Sequence, residues 1–248
     1  MSTRLLQRQI LPIDKDTDVF ALYVDAEEIR LDADRYEIGG NKGAKALNNA
    51  AVRQSTATGQ SIHPDQIASR TALRLPVGHK LSFGTYFNGF PASYWRRHTI
   101  IREVTLTVKL TGRGAAVTVY KSMANGRSQR VDAATVTEGS EGTFSFDLTL
   151  IPFVDGGWYW YDVVAGDEDA VVESAEWTAE VPADRAQHGT VDIAITTMNR
   201  PDFCAKLIRQ IGEDDTLRPY LDEVLVMEQG TQPVTGSARA RSPSASRR

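Results

Sequence analysis

The chain has 248 residues, 41% hydrophobic and 24% charged, with a net charge of −4. Those proportions suit one large or two smaller globular domains with ample apolar material for a core, and the charge excludes a bulk electrostatic pull toward nucleic acid or anionic lipid. A single cysteine, Cys204, excludes an intrachain disulfide and a cysteine-based metal cluster.

Residues 1–35 mix short apolar runs, Leu5–Leu11 and Val19–Val24, with acids. The stretch Met1–Asp14 lacks the apolar centre of a secretory leader. No segment approaches the roughly 18 apolar residues of a membrane-spanning helix. Gly39–Ser61, rich in Gly, Asn, Ala, Gln, Ser and Thr, reads as a loop.

From about residue 70 to 180 the pattern is period two. Leu81, Phe83, Thr85 and Phe87 alternate with smaller or more polar residues, which predicts a strand with Phe83 and Phe87 on its core face. Val104–Leu110, Val117–Val119 and Phe144–Leu150 alternate in the same way, and Trp158–Val164 and Val171–Trp177 read as further strands. Turn signals such as Asn125-Gly126, Gly139–Gly142 and Asp155-Gly156-Gly157 separate them. Several short alternating strands at this spacing predict an antiparallel sandwich or barrel.

Pro182–Thr190 is polar and reads as a linker. Beyond it, Val191–Thr197 is a β-branched run, and Cys204, Leu207, Ile208 and Ile211 fall at i, i+3, i+4 and i+7, one apolar helix face. Pro201 suits the first helical turn, where its missing N–H costs no bond. Leu221–Met227 reads as a second strand, so the segment predicts a parallel βαβ unit. Gly236–Arg248 lacks periodicity and predicts a disordered tail. The division is therefore an all-β antiparallel N-terminal domain over 1–185, the first βαβ unit of an α/β domain over 186–235, and a tail over 236–248. Two strands and one helix cannot cover both faces of a parallel sheet, so the expectation is a truncated or frame-shifted coding sequence.

The most specific segment is Ser82–Arg97, where Phe83, Tyr86, Phe87, Phe90, Tyr94 and Trp95 precede Arg96 and Arg97. From chemistry alone it is either a core strand followed by an aromatic turn, or a surface where rings stack on sugars while Asn and Arg bond hydroxyls. Tyr86, Tyr94 and Trp95 are the rings best suited to exposure.

The run Thr85–Arg97 (TYFN-x-FPASYWRR), the run Pro152–Asp162 and the run Ile193–Pro201 together resemble, in this order, the actinobacterial galactofuranosyltransferases that polymerise cell-wall galactan. The resemblance departs at residues 36–70 and after about residue 232. It implies an N-terminal β-sandwich on a GT-A glycosyltransferase domain, and transfer of galactofuranose from UDP-galactofuranose to a lipid-linked galactan acceptor. It implies a cytoplasmic protein, peripheral to the inner face of the plasma membrane. In open α/β sheets ligands gather at the carboxyl ends of the strands, and Thr197, Asn199, Arg200 and Gln229 fall there. Arg200 would contact the diphosphate with its planar fork, and Gln229 the uracil or ribose; outside the family each reads as an ordinary polar turn residue. Tyr86, Tyr94, Trp95 and Arg96 are the candidate glycan contacts.

The complete family enzyme uses a divalent metal, Mn or Mg, held by an Asp-x-Asp motif, together with a carboxylate base. No Asp-x-Asp stands at a strand end after residue 191; Asp214-Asp215 follows the helix and reads as a turn. The expectation is that this chain binds no metal and transfers no sugar alone. The alternatives are a stand-alone carbohydrate-binding β module and an interaction domain with no ligand.

Overall fold

The computed structural model describes residues 1–12, 17–28, 64–137, 139, 141–183 and 189–234. The readings made for Gly39–Ser61, for Gly236–Arg248 and for the centre of Pro182–Thr190 lie outside those residues. Two compact units divide the chain, Met1–Ala183 and Asp184–Arg248.

The first unit contains two five-stranded sheets in which every pairing is antiparallel. One sheet holds β1 (Ser2–Arg8), β3 (Leu73–Leu75), β5 (Glu103–Thr111), β8 (Glu141–Thr149) and β10 (Ala170–Val181). Its order is β1-β10-β5-β8, with β3 also on β10. The other holds β2 (Asp25–Glu28), β4 (His79–Ser82), β6 (Ala116–Met123), β7 (Ser128–Thr135) and β9 (Gly157–Val164), in the order β2-β4-β9-β6-β7.

Alternation explains how the sheets pack. Val104, Leu106, Val108 and Leu110 of β5 are buried, while Thr105 and Thr107 between them are half-buried and Glu103 and Lys109 on the same outer face are exposed. Tyr159, Tyr161 and Val163 of β9 are buried in the same way. The two sheets meet where Tyr159 of β9 lies over Trp177 of β10, ring centroids 6.2 Å apart. Phe90 stacks on Trp177 at 4.5 Å and Phe83 on Tyr161 at 4.5 Å. These large rings dominate the apolar area removed from water. Their polar tips are bonded: the Tyr159 hydroxyl donates to the Thr149 carbonyl at 2.9 Å and the Tyr161 hydroxyl to Gln9 Oε1 at 2.5 Å. Burial pushes the Tyr159 phenol up to about 12 and raises the Tyr161 phenol well above its ordinary value. The expected antiparallel β domain is thus present.

One expected strand is cut short. The alternation Leu81–Phe87 predicts a continuous strand, but β4 ends at Ser82 and the chain turns through 85–89. Asn88, 2% exposed, holds that turn: its Oδ1 accepts the Ile10 N–H at 2.9 Å, and its Nδ2 donates to the carbonyls of Ile10 at 2.9 Å and Tyr23 at 2.6 Å. Thr85 Oγ1 donates to the same Tyr23 carbonyl at 2.7 Å. Phe83 is fully buried as expected, whereas Phe87 lies against Tyr23 and is 37% exposed. A short helix, α1 (Ala92–His98), follows.

In the second unit, β11 (Val191–Met198) and β12 (Leu221–Gln229) pair in parallel, with α2 (Pro201–Glu213) between them in sequence. Ile193, Ile195 and Thr197 of β11 are half-buried while Asp192, Ala194, Thr196 and Met198 are exposed, so one sheet face is shielded and the other open. Of the expected helix face, Cys204 is buried, Ile208 and Ile211 are half-buried, and Leu207 is 42% exposed. No helix among the described residues is long and apolar enough to cross a membrane.

Candidate functional site

Strand β9 carries aromatic rings on both faces. Tyr159 and Tyr161 point inward, so Trp158 and Trp160 fall on the outer face. Trp158 is 47% exposed. On β6, Tyr120 sits opposite Trp160 and stacks on it, with centroids 5.7 Å apart and planes at 17°. Ser122 sits opposite Trp158. The loop pinned by Asn88 passes over this face. A Cβ on Gly84 would stand 2.9 Å from Trp160 Cδ1, so glycine is what allows the backbone this close to the ring. Tyr86, 78% exposed, forms one wall. Tyr86, Trp158, Trp160 and Gly84, with Thr85, Ser122 and Ser128, line a groove of about 400 Å³. No lining side chain is charged at neutral pH.

The remaining residues of the aromatic segment sit outside the groove's lining. Tyr94 is 59% exposed and lies against His98 at 4.7 Å. Trp95, expected to be exposed, is half-buried and parallel to core residue Phe90 at 6.3 Å. Arg96 is half-buried, and its Nε is enclosed with no hydrogen-bond partner among the described residues. The structure thus separates Tyr86 from the three α1 residues and joins it to Trp158 and Trp160. Sequence reasoning took Trp158 and Trp160 as strand residues without assigning them a face. The alternation Trp158, Trp160, Asp162 against Tyr159, Tyr161, Val163 was the available signal.

Next along the outer face of β9, Asp162 Oδ2 lies 3.6 Å from Lys80 Nζ, which lies 3.0 Å from Glu27 Oε2. Burial pulls the Lys80 ammonium down, but the Asp162 and Glu27 carboxylates outweigh it and raise the group. Asp162 is more enclosed; there burial outweighs Lys80 and holds the carboxyl above its usual range.

In the second unit the candidate residues lie at the carboxyl ends of the parallel strands. Met198 pairs with Gln229, and the Asn199 N–H donates to the Gln229 carbonyl at 3.3 Å. Arg200 and Gln229 are therefore brought to one rim. Thr197, Asn199 and Arg200 line a shallow hollow of about 350 Å³. Asn199 has φ +52°, a left-handed conformation that Asn tolerates better than most residues. Its Oδ1 accepts the N–H groups of Thr231 at 2.9 Å and Gln232 at 3.2 Å. Gly230 has φ +100°, and a Cβ there would overlap the Asn199 carboxamide. Sequence reasoning missed this lock, since the partners are some thirty residues away. Glu228, which precedes Gln229 at the end of β12, accepts the Val234 N–H at 2.5 Å. Asp214 caps its own turn through the Thr216 N–H and hydroxyl and the Leu217 N–H, and these bonds hold its carboxyl below the usual range. Among the described residues no group of three His, Cys, Asp or Glu side chains could hold a metal ion.

The family model described as "Galactofuranosyltransferase 2 N-terminal" matches residues 45–180. The match begins inside the stretch 36–70 where the sequence was expected to depart, so most of that stretch lies within the matched region. Galactofuranosyltransferase GlfT2 of Mycolicibacterium smegmatis is 37% identical over 182 residues, which cover 73% of this chain and 27% of that protein. Galactofuranosyltransferase GlfT2 of Mycobacterium tuberculosis is 36% identical over 187 residues, 74% of this chain and 28% of that protein. The chain thus spans about a quarter of the length of these relatives. Among solved structures, the Clostridium thermocellum endo-1,4-beta-D-xylanase 10B CBM22-1-GH10 modules complexed with xylohexaose give a TM-score of 0.32 and 8% identity. That likeness covers 54% of this chain and 28% of that one, too weak to define a shared fold.

Proposed function

This chain belongs to the galactofuranosyltransferase 2 N-terminal family, and from that premise we propose that it serves a glycosyltransferase that moves galactofuranose from UDP-galactofuranose to a growing galactan. In this reading β11, α2 and β12 open a GT-A nucleotide-binding sheet, and their rim receives the donor. Arg200 bonds the diphosphate, using a fork that matches phosphate oxygens. Gln229 meets the uracil or ribose, and the Thr197 hydroxyl lines the approach. Asn199 is a positioning residue, because its Oδ1 is committed to Thr231 and Gln232. The observation that supports the reading is the pairing of Met198 with Gln229, continued by the Asn199-to-Gln229 backbone bond, at the carboxyl-end rim from which Arg200 follows.

A divalent metal, Mn or Mg, would belong to the complete enzyme. The described residues do not fit one: Glu228 and Asp214 are bonded to nearby backbone, and no cluster of donors exists. No step is therefore assigned to a metal here, and no residue of this chain is assigned to proton transfer. The acceptor, a lipid-linked galactan, would place the protein at the inner face of the plasma membrane. Of the aromatic segment, Tyr86 is the first candidate for glycan contact and Tyr94 the second. Trp95 and Arg96 support α1 from its packed side.

The test is calorimetric titration of UDP into the full 248-residue chain. Arg200→Ala should weaken binding by about tenfold or more, the loss of a charge-assisted phosphate contact of roughly 1.5–3 kcal/mol. Equal affinity of the two proteins refutes the role of Arg200.

A further inference from the structure

We propose that the groove on the outer face of β9 and β6 is a second ligand site, one that stacks a neutral saccharide on Trp158 and Trp160. Its lining belongs to the unit Met1–Ala183, whereas the residues of the nucleotide rim belong to the other unit. Its naming as a galactan site rests on the proposed function; its naming as a saccharide site does not.

Four observations lead there. Large aromatic side chains normally sit inside, as Tyr159 and Tyr161 do here, yet Trp158 and Tyr86 are 47% and 78% exposed and flank one concavity. The two indoles are two residues apart on one strand, about 7 Å along it, and both line the concavity, Trp158 exposed and Trp160 half-buried between Tyr120 and the Gly84 backbone. The concavity holds about 400 Å³, within the range of small-molecule sites. Its other side chains are hydroxyls, Thr85, Ser122 and Ser128, with no charge among them. Sugar rings have an apolar C–H face and a rim of hydroxyls, and this lining offers the complement of both. A nucleotide, a phosphate or an acidic peptide would find no counter-charge.

The residues behind the groove are held by stacking and hydrogen bonds. Tyr120 backs Trp160 face to face. Gly84 and Gly89 bring the loop close, and the buried Asn88 ties that loop to Ile10 and Tyr23.

The experiment titrates three probes into the full chain and follows tryptophan fluorescence: a synthetic linear β-galactofuranosyl tetrasaccharide, cellohexaose as a pyranose control, and UDP. The tetrasaccharide should bind, Trp158→Ala and Tyr86→Ala should each weaken it at least tenfold, and Trp158→Phe should retain most of it. Both alanine sites are exposed, and far-UV circular dichroism checks that the folds persist. The UDP affinity of these variants should equal that of the wild type, while Arg200→Ala should lose UDP and keep the saccharide. No saccharide binding at ten millimolar, or equal binding by Trp158→Ala, overturns the proposal. Binding of cellohexaose alone upholds a saccharide groove and severs it from galactan. Failure at the nucleotide rim alone leaves the groove standing.

Discussion

At Lys80 the outer face of the second sheet concentrates its charge. The ammonium stands between Glu27 and the enclosed Asp162. Removing one partner of such a cluster strands a charge in a poorly hydrated place, which is more costly than never having built the pair. Lys80→Met should therefore lower stability by about 3 kcal/mol at neutral pH in urea unfolding. The sign with pH follows from the two shifts. Asp162 is raised in the fold, so protonation favours the native state; that contribution is complete below the unfolded carboxyl value and fades as pH rises through the folded one. Lys80 is also raised, so its contribution holds below the usual ammonium range and is lost as pH climbs through the folded value. The penalty in Lys80→Met should consequently shrink as pH is lowered through the raised Asp162 value, where the neutral carboxyl needs no counter-charge. A penalty that stays constant over this range refutes the pairing.

At the level of elements, the decisive piece is the loop between β4 and α1. Asn88 satisfies three backbone groups that lie far away in sequence, on Ile10 and Tyr23. Asn88→Ala would leave the Ile10 N–H and carbonyl part-buried without this partner, while the Tyr23 carbonyl keeps Thr85, at a cost of about 1–3 kcal/mol. It should also loosen Tyr86 over the groove, so saccharide affinity should fall together with the midpoint of thermal unfolding. A fall in the midpoint with unchanged affinity would show that the loop does not shape the groove. This loop also marks where the sequence stops being legible. Strands β5, β8 and β10 were readable because one face is apolar and the other polar, and β9 because a dense aromatic and β-branched run follows a Gly-Gly turn. The run Leu81–Phe87 keeps the same alternation, and nothing local announces that Asn88 will be drawn to two distant backbones. Strand β7 escaped reading for the opposite reason: Ser128–Asp132 is exposed throughout, so no apolar period exists to find. The rim of β11 and β12 was legible, since a strand, a Pro-started helix and a strand bring both turn segments together. The groove was not, because β9 is aromatic on both faces and hydrophobicity cannot tell its inside from its outside.

Across the whole molecule, burial is distributed unevenly. The unit Met1–Ala183 holds a stacked aromatic core, whereas among the described residues of the second unit Cys204 alone is buried. Met198, Leu225 and Met227, on the unshielded face of the parallel pair, are 62%, 50% and 61% exposed. Local stability follows buried apolar contact. Amide hydrogen exchange by mass spectrometry should therefore show β5, β9 and β10 as the slowest segments, and β11 and β12 exchanging at least about a hundredfold faster. Comparable protection in both units would contradict this picture. The pairing of β1 with β10 has a mechanical meaning as well. Ser2 lies beside Val181, so the two ends of the sandwich leave from one corner. Tension applied between them would load the ladder one bond at a time, like a zip fastener, instead of shearing all its bonds at once. A protein tethered through its start and hauled on from beyond residue 181 would thus begin to yield at its seam, while the ring-filled interior was still intact.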